Sequence, residues 1–173
     1  MKESEQLLPI VIDANVFEHL LNPQENVGKH INQLLAVITS SHQLYIDRGG
    51  KIKGEYEVRL EAAINNPEQQ DNFEIYLLRF WLKMKEMKIV EVDTPQSLRD
   101  AIKKVIIEVS ETIDRCFVET AALSDCDLIT NDELHIHNRA KDLKKSIKKL
   151  GYKKTEILNS LEAKDKFCSK SEN

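Results

Sequence analysis

Four acidic side chains stand at the start or end of apolar segments, where carboxylates can meet to bind a cation: Asp13, Glu55, Asp114 and Asp132. Two of them end apolar runs, at residues 9–13 and 127–132. If both runs are parallel strands, their carboxyl ends meet at one edge of a sheet, where open α/β sheets bind ligands. Carboxylates in close contact repel one another unless a divalent cation neutralises them. The pattern therefore predicts a metal site at this edge.

Each acid also has a simpler role that the sequence leaves open. Asp13 and Asp132 can each cap the N-terminus of the helix that follows. Asp114 lies in a segment with buried character, where an unpaired carboxylate is costly, and Glu111 lies one turn before it and can contribute. Glu55 flanks an apolar stripe, so it can instead form surface ion pairs alone.

Hard oxygen ligands select Mg²⁺ or Mn²⁺ over zinc. Such ions suit phosphodiester hydrolysis because they acidify an attacking water and offset charge growing on the phosphate. His135 and His137 form a His-x-His pair without a third ligand at zinc-site spacing, so we expect surface or phosphate-facing histidines. Glycine-rich nucleotide motifs are missing from the sequence. Asn15 stands where an aspartate-based phosphatase would carry its second aspartate.

Strand-like and helix-like segments alternate along the chain, which favours an α/β fold. Strands are predicted near residues 9–13, 43–47, 88–92 and 127–131, whereas residues 154–158 either add a strand or begin the last helix. Helices are predicted between them, among them a long one near residues 69–86 and others near residues 95–109 and 112–123. We expect a single domain over residues 1–173, with its core at about 9–160. Residues from about 163 to 173 offer little to bury and are expected to form a loose tail.

Composition limits the cellular setting. The chain has 173 residues, and none of its apolar runs approaches the roughly 20 residues of a membrane span. The N-terminus lacks a signal-peptide core, so we expect a cytoplasmic protein with no membrane partner. Cys116, Cys126 and Cys168 are odd in number and lack C-x-x-C spacing, which argues against disulfides, and Cys116 and Cys126 are expected in the core.

Basic residues are concentrated locally although the net charge is −4, from 25 basic and 29 acidic residues. Leaving out the four candidate ligands gives 25 of each sign. Residues 138–154 carry eight basic residues and one acid, a pattern that can hold a phosphate backbone and that is equally typical of a solvated helix face. The candidates for contact with nucleic acid are Lys144, Lys145, Lys148 and Lys149, and in an earlier turn Arg48, Lys51 and Lys53.

Three stretches together resemble the PIN domain, the nuclease domain of many bacterial and archaeal toxins. Residues 11–17 and 54–60 supply the first two. In the third, residues 114–121 are similar to the family's helix that opens with an acid and carries an alanine seven residues on, and residues 128–132 to its strand that ends in a hydroxyl residue and a final acid. The resemblance covers about residues 9–160. It implies a three-layer sandwich, with a mostly parallel central sheet of about four to five strands and helices on both faces.

The resemblance also implies which residues do what. Asp13, Asp114 and Asp132 match the family's three aspartates, and Glu55 matches its helix-borne glutamate. Asn15 and Thr130 match its polar supporting positions. The basic, glycine-containing stretch before Glu55 departs from the family's usual short turn, which leaves Asp47 as a rival for the second acidic position.

The implied activity is a Mg²⁺- or Mn²⁺-dependent endoribonuclease that leaves a 5′-phosphate and a 3′-hydroxyl. RNA is then the substrate, and a neutralising antitoxin and a homodimer are the partners that the resemblance suggests. Toxin–antitoxin action, phage defence and RNA maturation stay open as settings. The alternative is a non-catalytic RNA-binding or regulatory relative with an incomplete metal site, and metal-dependent cleavage of a generic RNA would separate the two.

Overall fold

Five parallel strands form one sheet in the computed structural model, which describes residues 7–18, 26–65 and 89–169. The strands are β1 (Leu8–Ile12), β2 (His42–Asp47), β3 (Ile89–Val92), β4 (Asp127–Ile129) and β5 (Ile157–Leu158), in the order β3-β2-β1-β4-β5. The chain moves outward from β1 to β3 and then returns to add β4 and β5 on the other side. This reversal opens a crevice at the carboxyl ends of β1 and β4, the usual ligand position in such sheets.

Helices cover the sheet, and the described ones are α1 (Ala14–Glu18), α2 (Asn26–Ser41), α3 (Lys51–Ile64), α4 (Gln96–Lys103), α5 (Thr112–Leu123), α6 (Ala140–Lys149) and α7 (Ser160–Cys168). Helix α5 packs on β1, β2 and β4, with α4 beside it and α6 against α4. Helix α2 packs with α7. Parallel crossovers are right-handed, so the outward and returning connections place α2 and α5 on opposite faces. The predicted three-layer α/β sandwich is confirmed.

Helix α5 lies close to the sheet because its inner face carries small residues. Phe117 and Val118 are fully buried, and Ala121 and Ala122 allow the helix backbone to approach the strands. Cys116 and Cys126 are buried free thiols in this core, as predicted. Tight packing of this kind fixes the start of α5, where Asp114 lies, against the carboxyl ends of the central strands.

The connection before α5 is not the predicted helix over residues 95–109. Helix α4 ends at Lys103, and a short 3₁₀ turn covers Val109–Glu111. Several β-branched residues follow α4 and disfavour helix. The buried guanidinium of Arg115 then holds the irregular segment, since its Nη1 donates to the carbonyl oxygens of Ile106 (3.1 Å) and Glu108 (2.9 Å).

The predicted loose tail from residue 163 is wrong for its first part. Ala163 is fully buried in α7, which packs on α2. Residues 157–158 form a strand and the last helix follows, which resolves the alternative left open for residues 154–158. The predicted helix near residues 69–86 lies outside the described residues. Within the described ranges, no helix is both long enough and apolar enough to cross a membrane.

Candidate metal centre

The register of the sheet brings Asp13 beside Thr130. Ile12 at the end of β1 pairs with Ile129 at the end of β4, and the backbone N–H of Asp13 donates to the Ile129 carbonyl oxygen at 2.8 Å. The residues that follow the two strands, Asp13 and Thr130, are therefore neighbours. Thr130 Oγ1 donates to Asp13 Oδ2 at 2.7 Å and accepts from the backbone N–H of Asp132 at 3.1 Å. One fully buried hydroxyl therefore positions two of the predicted acids.

Asn15 connects the same two strand ends. Its side-chain Nδ2 donates to Asp13 Oδ2 at 3.0 Å, and its backbone N–H donates to Asp13 Oδ1 at 3.1 Å. Its side-chain Oδ1 accepts from the backbone N–H of Asn131 at 3.0 Å. Asn15 and Thr130 thus both donate to the Asp13 carboxylate, which is 4% exposed, and their supporting role in a functional site stays a prediction.

Asp114, Asp132 and His135 form what we call the acid–histidine cluster. A ligand atom of each lies within 4.8 Å of the other two. His135 Nδ1 is 3.1 Å from Asp132 Oδ2 and 3.6 Å from Asp114 Oδ2. Asp132 also caps its own turn, because Oδ1 accepts from the backbone N–H of His135 at 2.8 Å. Asp13 adjoins this cluster through Thr130.

Glu111 and Arg139 extend the cluster. Glu111 Oε1 lies 3.4 Å from His135 Nε2, and Oε2 accepts from Arg139 Nη1 at 2.7 Å. Arg139 also donates to Glu108 at 3.0 Å. The sequence predicts a surface or phosphate-facing position for His135, but its ring lies between the carboxylates of Glu111, Asp114 and Asp132. The available signal was spacing, since His135 follows Asp132 by three residues and Glu111 precedes Asp114 by three.

Negative charge is concentrated at this edge. Burial raises the pKa of Asp13 to about 6, against hydrogen bonds from Thr130 and Asn15 that lower it. Burial, and then the charge of Asp132, raise the pKa of Asp114 to about 6. Burial lowers the pKa of His135, but the charges of Asp132, Glu111 and Asp114 bring it above its ordinary value. The carboxylates therefore need more positive charge than the nearby side chains supply.

Glu55 and its rival Asp47 have different surroundings. Glu55 lies on α3 at the periphery, where its Oε1 accepts from Arg59 Nε at 2.8 Å, and its charge helps to raise the pKa of Asp114. Asp47 instead caps α3, because its two oxygens accept from the backbone N–H groups of Lys51 (3.1 Å) and Ile52 (2.8 Å). The geometry therefore favours Glu55 for the second acidic position.

Tyr56 joins α3 to the strand that carries the first aspartate. Its buried hydroxyl donates to the carbonyl oxygen of Ile12, and its ring packs between Phe17 and Phe117. The residue after Glu55 is thereby fixed to the residue before Asp13. This contact sets where α3 stands relative to the candidate site.

The candidate nucleic-acid residues are exposed. Lys144, Lys145, Lys148 and Lys149 lie on α6, whose buried side carries Leu143 and Ile147. Arg48 and Lys51 line a cavity of about 390 Å³ beside β2 and β3, and Lys53 pairs with Glu57 at 3.9 Å. Contact with a phosphate backbone stays a prediction for both groups.

No family model matches this sequence, and no curated protein matches it. Among solved structures, the chain is similar to PAE2754 from Pyrobaculum aerophilum, with a TM-score of 0.52 and 14% identity over 95% of this chain and 99% of that one. It also aligns with VapBC2 from Rickettsia felis, solved with a DNA fragment from its promoter, at a TM-score of 0.47 and 10% identity over 87% of this chain and 98% of that one. At these identities the likeness concerns the fold alone.

Proposed function

We propose that this chain is a single-domain, metal-dependent endoribonuclease whose site is built from Asp13, Asp114 and Asp132, with Glu55 at its edge. The observation that carries the proposal is the acid–histidine cluster at the carboxyl edge of β4, with buried Asp13 held beside it. These positions match the acids of the PIN domains that the sequence resembles. The parallel sheet is the architecture that resemblance implied.

The residues present fit a divalent cation. Asp114 and Asp132 offer oxygen atoms, which Mg²⁺ and Mn²⁺ prefer, and both side chains are mostly shielded from solvent. Burial first, and then neighbouring carboxylates, raise the pKa values of Asp13 and Asp114, and a bound cation would supply countercharge to both. Asp114 and Asp132 would hold the ion, with Asp13 and Glu55 next to it. When bound, the ion offsets charge growing on the phosphate and acidifies an attacking water.

The chain's own residues orient this site. The Thr130 hydroxyl donates a hydrogen bond to Asp13 Oδ2, so that carboxylate cannot rotate freely. Asn15 fixes both oxygens of Asp13 and ties its loop to the backbone of Asn131. Because these contacts exist before substrate arrives, the acids need not be ordered during reaction, which preserves their electrostatic effect. We propose RNA as substrate, with products carrying a 5′-phosphate and a 3′-hydroxyl.

The test is cleavage of an end-labelled RNA by the purified protein with Mn²⁺, with Mg²⁺ and with EDTA. We expect cleavage with either ion, none in EDTA, and none in Asp114→Asn. The matched control is Glu119→Gln on the same helix, because Glu119 lines the cavity beside β2 and β3 instead of the cluster. Retained Mn²⁺-dependent cleavage in Asp114→Asn, at wild-type level, would exclude the assignment.

RNA binding without cleavage is the second candidate, and one contact favours it. Glu55 is engaged by Arg59 at 2.8 Å, which competes with a cation for that carboxylate. Binding of RNA by a protein that cuts no RNA with either ion would support this candidate. An antitoxin partner, a homodimer and a cytoplasmic location stay predictions from the sequence.

A further inference from the structure

The imidazole of His135 is oriented by a chain of contacts that ends at Arg139. Arg139 Nη1 donates to Glu111 Oε2 at 2.7 Å, and Glu111 is 7% exposed. The other oxygen, Oε1, lies 3.4 Å from His135 Nε2. Because the arginine occupies Oε2, Oε1 is the oxygen that faces the ring.

The surroundings of the His135 ring suit one tautomer once a cation is bound. Nδ1 lies 3.1 Å from Asp132 Oδ2, within hydrogen-bond distance, and 3.6 Å from Asp114 Oδ2. A cation held by these two aspartates would replace a proton on Nδ1, and the remaining ring proton, on Nε2, would face Glu111 Oε1 at 3.4 Å. Histidines that bind metals almost always donate their other ring N–H to a carboxylate, carbonyl or water. With a cation bound, Glu111, His135 and the two aspartates would have this arrangement.

A backbone hydrogen bond also holds His135 in place. The N–H of His135 donates to Asp132 Oδ1 at 2.8 Å, so the carboxylate that neighbours Nδ1 also holds the main chain of the histidine. His137, two residues on, serves a different purpose, since its Nε2 donates to the carbonyl oxygen of Thr130 at 2.8 Å. The two histidines are therefore not equivalent.

We propose that His135 Nδ1 is a metal ligand together with Asp114 and Asp132, and that Glu111, held by Arg139, is the positioning residue that sets its tautomer. The inference rests on the metal site of the proposed function. A nitrogen ligand suits Mn²⁺ better than Mg²⁺, because imidazole favours first-row transition ions and Mg²⁺ favours oxygen. The site should therefore bind Mn²⁺ more tightly than Mg²⁺, although both ions can occupy it.

The test is pulsed electron paramagnetic resonance of Mn²⁺ bound to the purified wild-type protein, without RNA. We expect a ¹⁴N coupling from a directly bound imidazole. The coupling should vanish in His135→Gln and persist in His137→Gln, the matched control. Calorimetric titration should show a Mn²⁺ Kd raised roughly 10-fold or more in His135→Gln and in Glu111→Gln, with a smaller change for Mg²⁺.

Each outcome decides between the two proposals. If Mn²⁺ binds the wild-type protein without a nitrogen coupling and does not bind Asp114→Asn, the histidine ligand is overturned. The metal site of the proposed function then stands. A nitrogen coupling that survives in His135→Gln and disappears in His137→Gln would show that His137 binds the ion, which also overturns the proposal for His135. A wild-type protein that binds no Mn²⁺ overturns both proposals. If His135→Gln fails to fold, the wild-type spectrum and Glu111→Gln still decide.

Discussion

Replacing Asp114 by asparagine should stabilise the cation-free protein at neutral pH and abolish its stabilisation by Mn²⁺. Burial and the charge of Asp132 raise the pKa of Asp114 from 3.8 to about 6. A difference of one in pKa corresponds to about 1.4 kcal/mol, so ionising this carboxyl in the fold costs about 3 kcal/mol relative to the unfolded chain. The side chain is 17% exposed, and solvent screening reduces the expected gain to about 2 kcal/mol.

The pH dependence has a definite sign. A raised pKa in the fold means that the folded chain keeps this proton longer than the unfolded chain does, so wild-type stability falls as pH rises from 3.8 to about 6. Asp114→Asn has no such loss. The two proteins should therefore be similarly stable near pH 4, and the variant should be more stable above pH 6.

Thermal unfolding in EDTA at several pH values measures this difference. For a chain of this size, 2 kcal/mol corresponds to a Tm increase of roughly 4–8 °C. Mn²⁺ at 100 times its Kd should stabilise wild type by about 2.7 kcal/mol and leave Asp114→Asn unchanged. Glu119→Gln is the control, because burial raises the pKa of Glu119 too, yet its Mn²⁺ response should stay that of wild type. A variant that is less stable than wild type at pH 7 in EDTA would refute the reasoning.

Three further predictions concern the surroundings of the cluster. Thr130→Val should lower the free energy of unfolding in urea by about 1–3 kcal/mol and reduce cleavage, because Asp13 Oδ2 and the Asp132 N–H both lose their hydroxyl partner. Thr130→Ser should keep both hydrogen bonds and both properties. A valine variant as stable as wild type would contradict this prediction. Glu55→Gln should lower cleavage far more than Asp47→Asn, and the reverse ranking would move the second acidic position to Asp47. Asp47→Asn should lower Tm more, because both oxygens of Asp47 accept from backbone N–H groups of α3 and asparagine keeps only one of these oxygens. Changing Lys144, Lys145, Lys148 and Lys149 to Gln should weaken RNA binding and flatten its salt dependence by roughly one unit of slope per lost phosphate contact. Unchanged RNA binding would show that these lysines form a solvated face. Arg48, Lys51 and Lys53 would then be the better candidates for contact with RNA.

The sequence predicted the strand-end acids because parallel strands place their carboxyl ends together. The contact between Asp13 and Thr130 follows from the alternation of strands and helices, because that alternation places the ends of β1 and β4 at the same edge of the sheet. The acidic helix of Asp114 was predictable too, since the apolar spacing of α5 matches its buried face.

Other parts of the site depend on irregular backbone that periodicity does not describe. His135 reaches the aspartates through a turn, and Glu111 reaches His135 from a 3₁₀ segment. Arg115 is of a residue type that is mostly exposed, yet it is buried on backbone carbonyls. One missed signal was visible: Asn159 and Glu162 form a capping box, which marks the start of α7, the helix that continues into the expected loose tail.

The order of the strands has a consequence for synthesis of the chain. The hydrogen bond from Thr130 to Asp13 joins residues 117 positions apart, and β1 precedes β4 by nearly the same distance. At roughly 5–20 residues per second, translation needs on the order of 6–25 s to cover that interval. Until then the central strand lacks one neighbour and the aspartates have not met. We therefore expect a ribosome-bound chain that ends before β4 to bind no Mn²⁺ and cut no RNA, because the site would form only after most of the polypeptide has been synthesised.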